Sequence, residues 1–123
     1  MKDGKEILDL KPIYFELDEY YITQESYETL SKVARIINNY PSIVIEFGSH
    51  TDCRSSDSYN LHLSTLRAKE VVKHLVHLGV SENRIKGRGY GESKPLNKCI
   101  DGVKCTEREH MQNRRAEFVI IKK

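Results

Sequence analysis

The chain has 123 residues, enough for one domain with a real core and too few for two ordinary ones. Hydrophobic residues at 38% and charged residues at 31% describe a soluble globular chain and argue against a disordered or membrane-embedded one. Twenty basic against 18 acidic residues leave a net charge of +2, which gives no broad field for nucleic acid or anionic lipid, so any recognition by charge has to be local.

Residues 1–11 read as a lead-in or linker and residues 12–123 as the domain. The start, Met1-Lys2-Asp3-Gly4-Lys5, is unlike a secretion signal, and no apolar run approaches the ~20 residues of a membrane span. That leaves a cytosolic protein or a domain of a longer exported chain. The first strand is expected over Pro12 to Leu17, followed by the polar Asp18-Glu19. A helix then starts near Thr23, which can cap it with Ser26 three places on. Leu30, Val33, Ala34 and Ile37 recur at helical spacing, and Pro41 marks the stop. Ser42 to Gly48 is short, β-branched and apolar, as a buried central strand should be.

After a polar loop, Ser56 or Asp57 opens a second, longer helix that ends at Gly79, a good left-handed cap. Its expected apolar face is Leu61, Ala68, Val71, Val72, Leu75 and Leu78. Arg84 to Tyr90 forms the next strand, where Gly87, Gly89 and Gly91 predict a bend or a close backbone approach. A polar loop is expected from Glu92 to Gln112. The last strand runs from Arg114 to Ile121, with Ala116, Phe118 and Ile120 alternating against Arg115, Glu117 and Val119. The order βαβαββ predicts an α/β domain, an α+β sandwich of two main helices on one four-stranded mixed sheet.

An odd cysteine count argues against a disulfide scaffold. Even so, Cys99 and Cys105 flank the turn-like Asp101-Gly102. They could close a small loop worth roughly 2 kcal/mol in an oxidising compartment; three reduced thiols, counting Cys53, fit the residues equally well.

The densest polar cluster, Ser49 to Asp57, lies where the second strand ends and the second helix begins. Such strand-end loops are common ligand sites, and a helix amino terminus attracts carboxylates. Asp52 in this loop and Arg67 on the helix would together suit a zwitterion. Asn60 lies seven residues before Arg67, about 20° away around an ideal helix, with Leu63 one turn below Arg67. The three form one stripe beside the buried face, where an arginine can lay its stem on apolar surface. An exposed Arg67 pairing with Glu70 at i+3 satisfies the same spacing.

Other chemistries fare worse. Ser49 and His50 point to opposite faces of a strand, no glycine elbow frames Ser49 or Ser64, and nothing local gives Cys53 a base. Cys99, Cys105 and His110 lack the spacing of a structural zinc site. The glycines from Gly87 to Gly91 open no helix, so they make no phosphate loop. Arg114, Arg115, Lys122 and Lys123 read as a solvated edge, with no nucleic acid implied. No enzyme, metal or cofactor is expected.

Several stretches together resemble the OmpA carboxyl-terminal family, which also covers peptidoglycan-associated lipoprotein and the flagellar stator protein MotB. They are His50-Thr51-Asp52, Tyr59-Asn60, Leu63-Ser64, Arg67-Ala68, Val71, Leu75, Gly79-Val80, Gly89-Tyr90-Gly91-Glu92, Pro95 and Asn113-Arg114-Arg115, with Tyr14 to Tyr20 upstream. The resemblance implies noncovalent attachment of an envelope protein to peptidoglycan in the periplasm. Any membrane link would then run through a parent-chain segment outside this sequence. Asp52 matches the family's aspartate for the ammonium of the stem peptide's diaminopimelate, and Arg67 its arginine for the carboxylate. Asp18, Arg54 and Ser56 match further ligand contacts, and Leu63 the apolar floor. Thr51, Asn60, Ser64 and Arg114 match supporting positions.

The chain departs from the family pattern at Ser55, where many relatives have glycine, and at Cys53. Its cysteine-flanked loop resembles Bacteroidetes versions, and periplasmic placement would pair Cys99 with Cys105 and leave Cys53 free. A module that docks envelope proteins through the loop from Glu92 to Gln112 is the alternative reading.

Overall fold

The computed structural model describes residues 6–8, 10, 13, 15 and 22–122. Its elements are β1 (Glu6–Ile7), α1 (Gln24–Asn39), β2 (Val44–His50), α2 (Asp57–His77), β3 (Ile85–Gly91), α3 (Glu107–Asn113) and β4 (Arg115–Lys122), with a 3-10 turn at Glu82–Arg84 before β3. The sheet is mixed: β2 is central, parallel to β3 and antiparallel to β4, and the two-residue β1 adds to the far edge of β4. The predicted α+β architecture is present, and β2, β3 and β4 fall within two residues of their expected bounds.

Three expectations need correction or fall away. The strand predicted over Pro12 to Leu17 lies mostly outside the described residues; of its members, Phe15 makes an isolated bridge to Ile22. Among the described residues the outer strand on β4 is Glu6–Ile7, within the stretch read as a lead-in, and Leu8 and Leu10 pack against the core. The predicted polar loop from Glu92 to Gln112 contains most of a third helix, α3. Its sequence carries no apolar stripe, but its start is locally determined. Thr106 accepts from the Glu109 backbone N–H at 3.2 Å while the Glu109 carboxylate accepts from the Thr106 N–H at 2.9 Å, a reciprocal capping box.

The core is built where the helices cross the inner face of the sheet. Ile45 and Phe47 of β2, Ile85 of β3 and Phe118 of β4 meet Leu30, Val33, Ala34 and Ile37 of α1 and Ala68, Val71 and Leu75 of α2. The Phe47 and Phe118 rings lie 4.9 Å apart and tilted, a favourable edge-on arrangement. Arg84 donates to the carbonyls of Ile43 at 3.2 Å and Tyr40 at 2.6 Å, and also to Ile37, so one guanidinium ties the end of α1 to the turn before β3.

The buried face of α2 is rotated from the predicted one. Leu61 and Leu78 are 50% and 36% exposed, and the buried set is Asn60, Leu63, Ser64, Ala68, Val71 and Leu75. The cause is close contact with β3. A Cβ on Gly89 would lie 2.2 Å from the Thr65 backbone nitrogen, and one on Gly87 would lie 3.0 Å from the Ala68 carbonyl oxygen. Small and polar residues, Asn60, Ser64 and Ala68, therefore line α2 where it meets β3, with Leu63 the one buried leucine in its first half. α2 closes at Gly79, whose φ is +100°. Val80 N–H donates to Leu75 O and Gly79 N–H to Val76 O, the paired bonds of a Schellman end.

These two glycines should respond differently to a methyl group. Gly89→Ala must push α2 off β3 and is expected to cost about 3 kcal/mol or prevent folding. Gly79→Ala meets no neighbour within 4 Å and bears only the left-handed strain, about 1 kcal/mol. Urea unfolding of both variants distinguishes these costs.

Candidate functional site

β2 ends at His50, and the next residues are held in place by bonds to α2 and β3. Thr51 N–H donates to Gly91 O at 2.8 Å, and the Thr51 hydroxyl donates to Asp52 O at 2.9 Å. The Asn60 amide, only 5% exposed, donates to Asp52 O, Ser55 O and the Glu92 carboxylate at 3.1–3.2 Å. Ser64 completes the brace, accepting from Gly91 N–H at 2.9 Å. Ser56 caps α2, its hydroxyl accepting from Tyr59 N–H.

These bonds present the Asp52 carboxylate at the mouth of the strand, 8% exposed. Its Oδ1 accepts from Arg54 N–H at 3.0 Å, and its Oδ2 accepts from Arg54 Nη2 and Arg114 Nη1, each at 2.9 Å. Both arginines reach onward to Glu107 of α3, at 2.7 Å each. The result is a closed ring of two carboxylates and two guanidiniums, neutral in sum. Burial pushes the Asp52 carboxyl up, but the bonds from Arg54 and Arg114 together outweigh it and hold it at about 2. Asp52 is therefore anionic at any physiological pH.

Arg67 lies on the same α2 stripe as Asn60 and Leu63 and is half-buried. Its guanidinium carbon sits 4.9 Å from the centre of the Phe15 ring, a cation–π contact to the amino-terminal segment. Leu63 is 8% exposed and does not belong to the main core cluster. Asp18 lies outside the described residues. His50 pairs with Glu117 at 3.4 Å and stacks on Tyr90.

Two features were not anticipated. Glu107 joins the arginine ring, a position the threonine–glutamate capping signal could have placed on a helix terminus. Glu92 forms a second acidic cluster with Asp57 and Asp101, their carboxylate oxygens within 4.8 Å of one another. Burial, reinforced by Asp101 and Asp57, pushes the Glu92 carboxyl up to about 7. Asp101 arrives there on the loop closed by the Cys99–Cys105 disulfide. Cys53 is a free, half-buried thiol, pushed up chiefly by burial and next by Glu92.

The profile of the OmpA family matches residues 14–108, most of the chain. The chain belongs to the OmpA family. Among curated relatives, the peptidoglycan-associated lipoprotein of Brucella melitensis is 36% identical over 108 residues, covering 88% of this chain and 61% of that protein. Outer membrane porin F of Pseudomonas fluorescens is 36% identical over 110 residues, covering 89% of this chain and 31% of that protein. The chain thus spans less than two thirds of these curated relatives' length. Among solved structures, the peptidoglycan-associated lipoprotein from Burkholderia pseudomallei matches with a TM-score of 0.76 at 30% identity, over 89% of this chain and 90% of that one. The periplasmic domain of Helicobacter pylori MotB matches with a TM-score of 0.78 at 22% identity, over 99% and 86%, a likeness of fold.

In this OmpA-family domain the two acidic centres should bend the stability profile in opposite directions. Asp52 titrates lower in the folded chain than in the unfolded one, so its contribution is complete above about pH 4 and is lost as pH falls toward 2. For a site at the molecular surface the loss is on the order of 1–2 kcal/mol. Glu92 titrates higher when folded, so the folded chain gains protons there and stability declines as pH rises from about 4.5 to about 7. Denaturant midpoints measured from pH 2 to 8 should show both slopes. Asp52→Asn should flatten the first and Glu92→Gln the second.

Proposed function

We propose that this domain binds the stem peptide of peptidoglycan without covalent chemistry and so anchors an envelope protein to the cell wall from the periplasm. The observation that carries the reading is the Asp52 carboxylate, ionised and held rigidly at a strand mouth, with the half-buried Arg67 on the adjoining helix stripe. Membership of the OmpA family supports it, as do lipoprotein relatives whose name is that of the peptidoglycan they accompany.

In this reading the diaminopimelate side chain brings an ammonium to Asp52 and a carboxylate to Arg67. Asp52 keeps acceptor capacity for the ammonium: among the described residues Oδ1 accepts only the Arg54 N–H. A guanidinium takes a carboxylate in a fork, which fixes orientation as well as adding energy. Leu63 provides the apolar floor, while Arg54, Ser56 and Asp18 add contacts around it. Thr51, Asn60, Ser64 and Arg114 support the loop. The chemistry proposed is recognition without turnover, carried by the paired charges of Asp52, Arg54, Arg114 and Glu107.

A second reading has its own observation. The segment from Glu92 to Gln112 exposes Leu96 at 48%, Ile100 at 56% and Met111 at 58%, apolar surface suited to an envelope protein partner.

Titration with diaminopimelate-containing and lysine-containing muropeptides tests the first reading. The lysine form lacks the carboxylate meant for Arg67, so the diaminopimelate form should bind at least about tenfold tighter, a loss of one charge-assisted fork. Asp52→Ala and Arg67→Ala should each abolish co-sedimentation with purified peptidoglycan while the circular dichroism spectrum is retained. Equal binding of both muropeptides, or undiminished co-sedimentation of both variants, rejects the site. Partner capture that survives without peptidoglycan and disappears on deleting residues 96–103 supports the second reading.

A further inference from the structure

Glu107 is an exposed side chain in an unusually complete ion pair. It is 61% exposed, yet each oxygen is taken by a different arginine: Oε2 by Arg54 Nη1 and Oε1 by Arg114 Nη2, both at 2.7 Å. The other end of each guanidinium is committed to Asp52. The two carboxylates in the ring are not equivalent. Asp52 is 8% exposed, belongs to a loop pinned by Thr51 and Asn60, and receives a backbone N–H as well. Glu107 is the first residue of a seven-residue surface helix, and its carboxylate bonds to two half-exposed arginines.

Removing Glu107 would leave two positive charges against one, with a nitrogen from each guanidinium aimed at the same exposed point. Such convergent donors suit a carboxylate, because planar guanidiniums present N–H pairs in a fixed plane. An incoming carboxylate would exchange like for like. Exposed ion pairs contribute little net stability, so breaking the Glu107 contacts costs the fold little. Glu107 nevertheless competes well, because α3 is tethered beside the site. Its capping box, the Cys99–Cys105 disulfide just before it, and the Asn97–Asn113 bond at 2.9 Å keep the carboxylate at high local concentration.

We propose that Arg54 and Arg114 form a carboxylate subsite whose resting occupant is the chain's own Glu107, displaced when a peptide ligand brings a second free carboxylate to the Asp52 loop. The proposal rests on the cell-wall reading for the source of that carboxylate, but the subsite itself can be tested without it. Self-occupancy lowers apparent affinity by the fraction of time Glu107 is in place. Glu107 thus sets a threshold that favours ligands with more than one acidic group.

The test is an NMR titration of ¹⁵N-labelled protein with acetate, following the Nε–H signals of Arg54 and Arg114, on the wild type and on Glu107→Gln. Glu107→Ala is run beside it because a glutamine oxygen can still accept from arginine. Removing the tethered competitor should let acetate saturate both signals at a concentration lower by about fivefold or more. The same variants should bind a muropeptide with free carboxylates tighter by a similar factor, and its fully amidated analogue no better than wild type does. Unchanged acetate titration in both variants overturns the subsite, even where wild-type protein binds peptidoglycan. Acetate saturating lower in the variants, while no protein binds any muropeptide, upholds the subsite and removes the cell-wall reading instead.

Discussion

The geometry of this domain depends on how closely the backbone of α2 approaches β3. Contact at Gly89 leaves no room for a side chain, and Gly87 and Gly91 bring the helix nearly as near. That approach lets the Ser64 hydroxyl accept the Gly91 N–H and lets the Asn60 amide span Asp52, Ser55 and Glu92. A helix lifted by the thickness of one methyl group would lose those bonds and leave buried polar groups unpaired, at a cost above that of the steric clash alone. The packing of a helix on a strand and the position of the Asp52 carboxylate are therefore one constraint.

Electrostatics divides the site into a stiff half and a soft half. Asp52 is nearly buried and would be expelled or protonated without partners, so Arg54 and Arg114 are conditions of its ionised state. Those arginines are themselves half-exposed, and on their outer side they meet Glu107, which water also reaches. Energy concentrates at the inner carboxylate, and exchangeability at the outer one. A ring of this kind holds a charge pattern constant while one of its members remains replaceable.

Much of this was legible in the sequence where local rules act alone. The caps at Ser56 and Gly79, the apolar run of β2 and the alternation of β4 follow from backbone chemistry and periodicity, and each appears near its expected place. The register of α2 was misjudged at Leu61 and Leu78 because hydrophobicity was taken as the guide to its buried face. There the glycines of β3 select for small side chains over apolar ones. α3 was missed because a short helix held by its cap and a disulfide needs no apolar stripe. The strand-end argument pointed to the Asp52 loop, and the family motif added Arg67, which the structure places on the α2 stripe with Asn60 and Leu63. Through-space partners such as Glu107 and Asp101, some fifty residues from the Asp52 loop and carried on an irregular segment, have no periodic signature. Arg114 was read as support, and its direct bond to Asp52 makes that support electrostatic.

The segment between β3 and β4 connects these points. It contributes Asp101 to the acidic cluster at Glu92 and Glu107 to the arginine ring, so a single disulfide-closed excursion touches the Asp52 loop from two sides. Its contacts with the rest of the site run through charged side chains at the surface, which water and salt weaken. The backbone around Asp52 is held by the buried hydrogen bonds of Thr51 and Asn60, which water and salt weaken far less. Changes in this segment can therefore alter which charges surround Asp52 while β2 and α2 continue to hold it in place. In the proposed reading, a fixed carboxylate with an adjustable rim would keep the position of recognition constant and leave its selectivity to the loop.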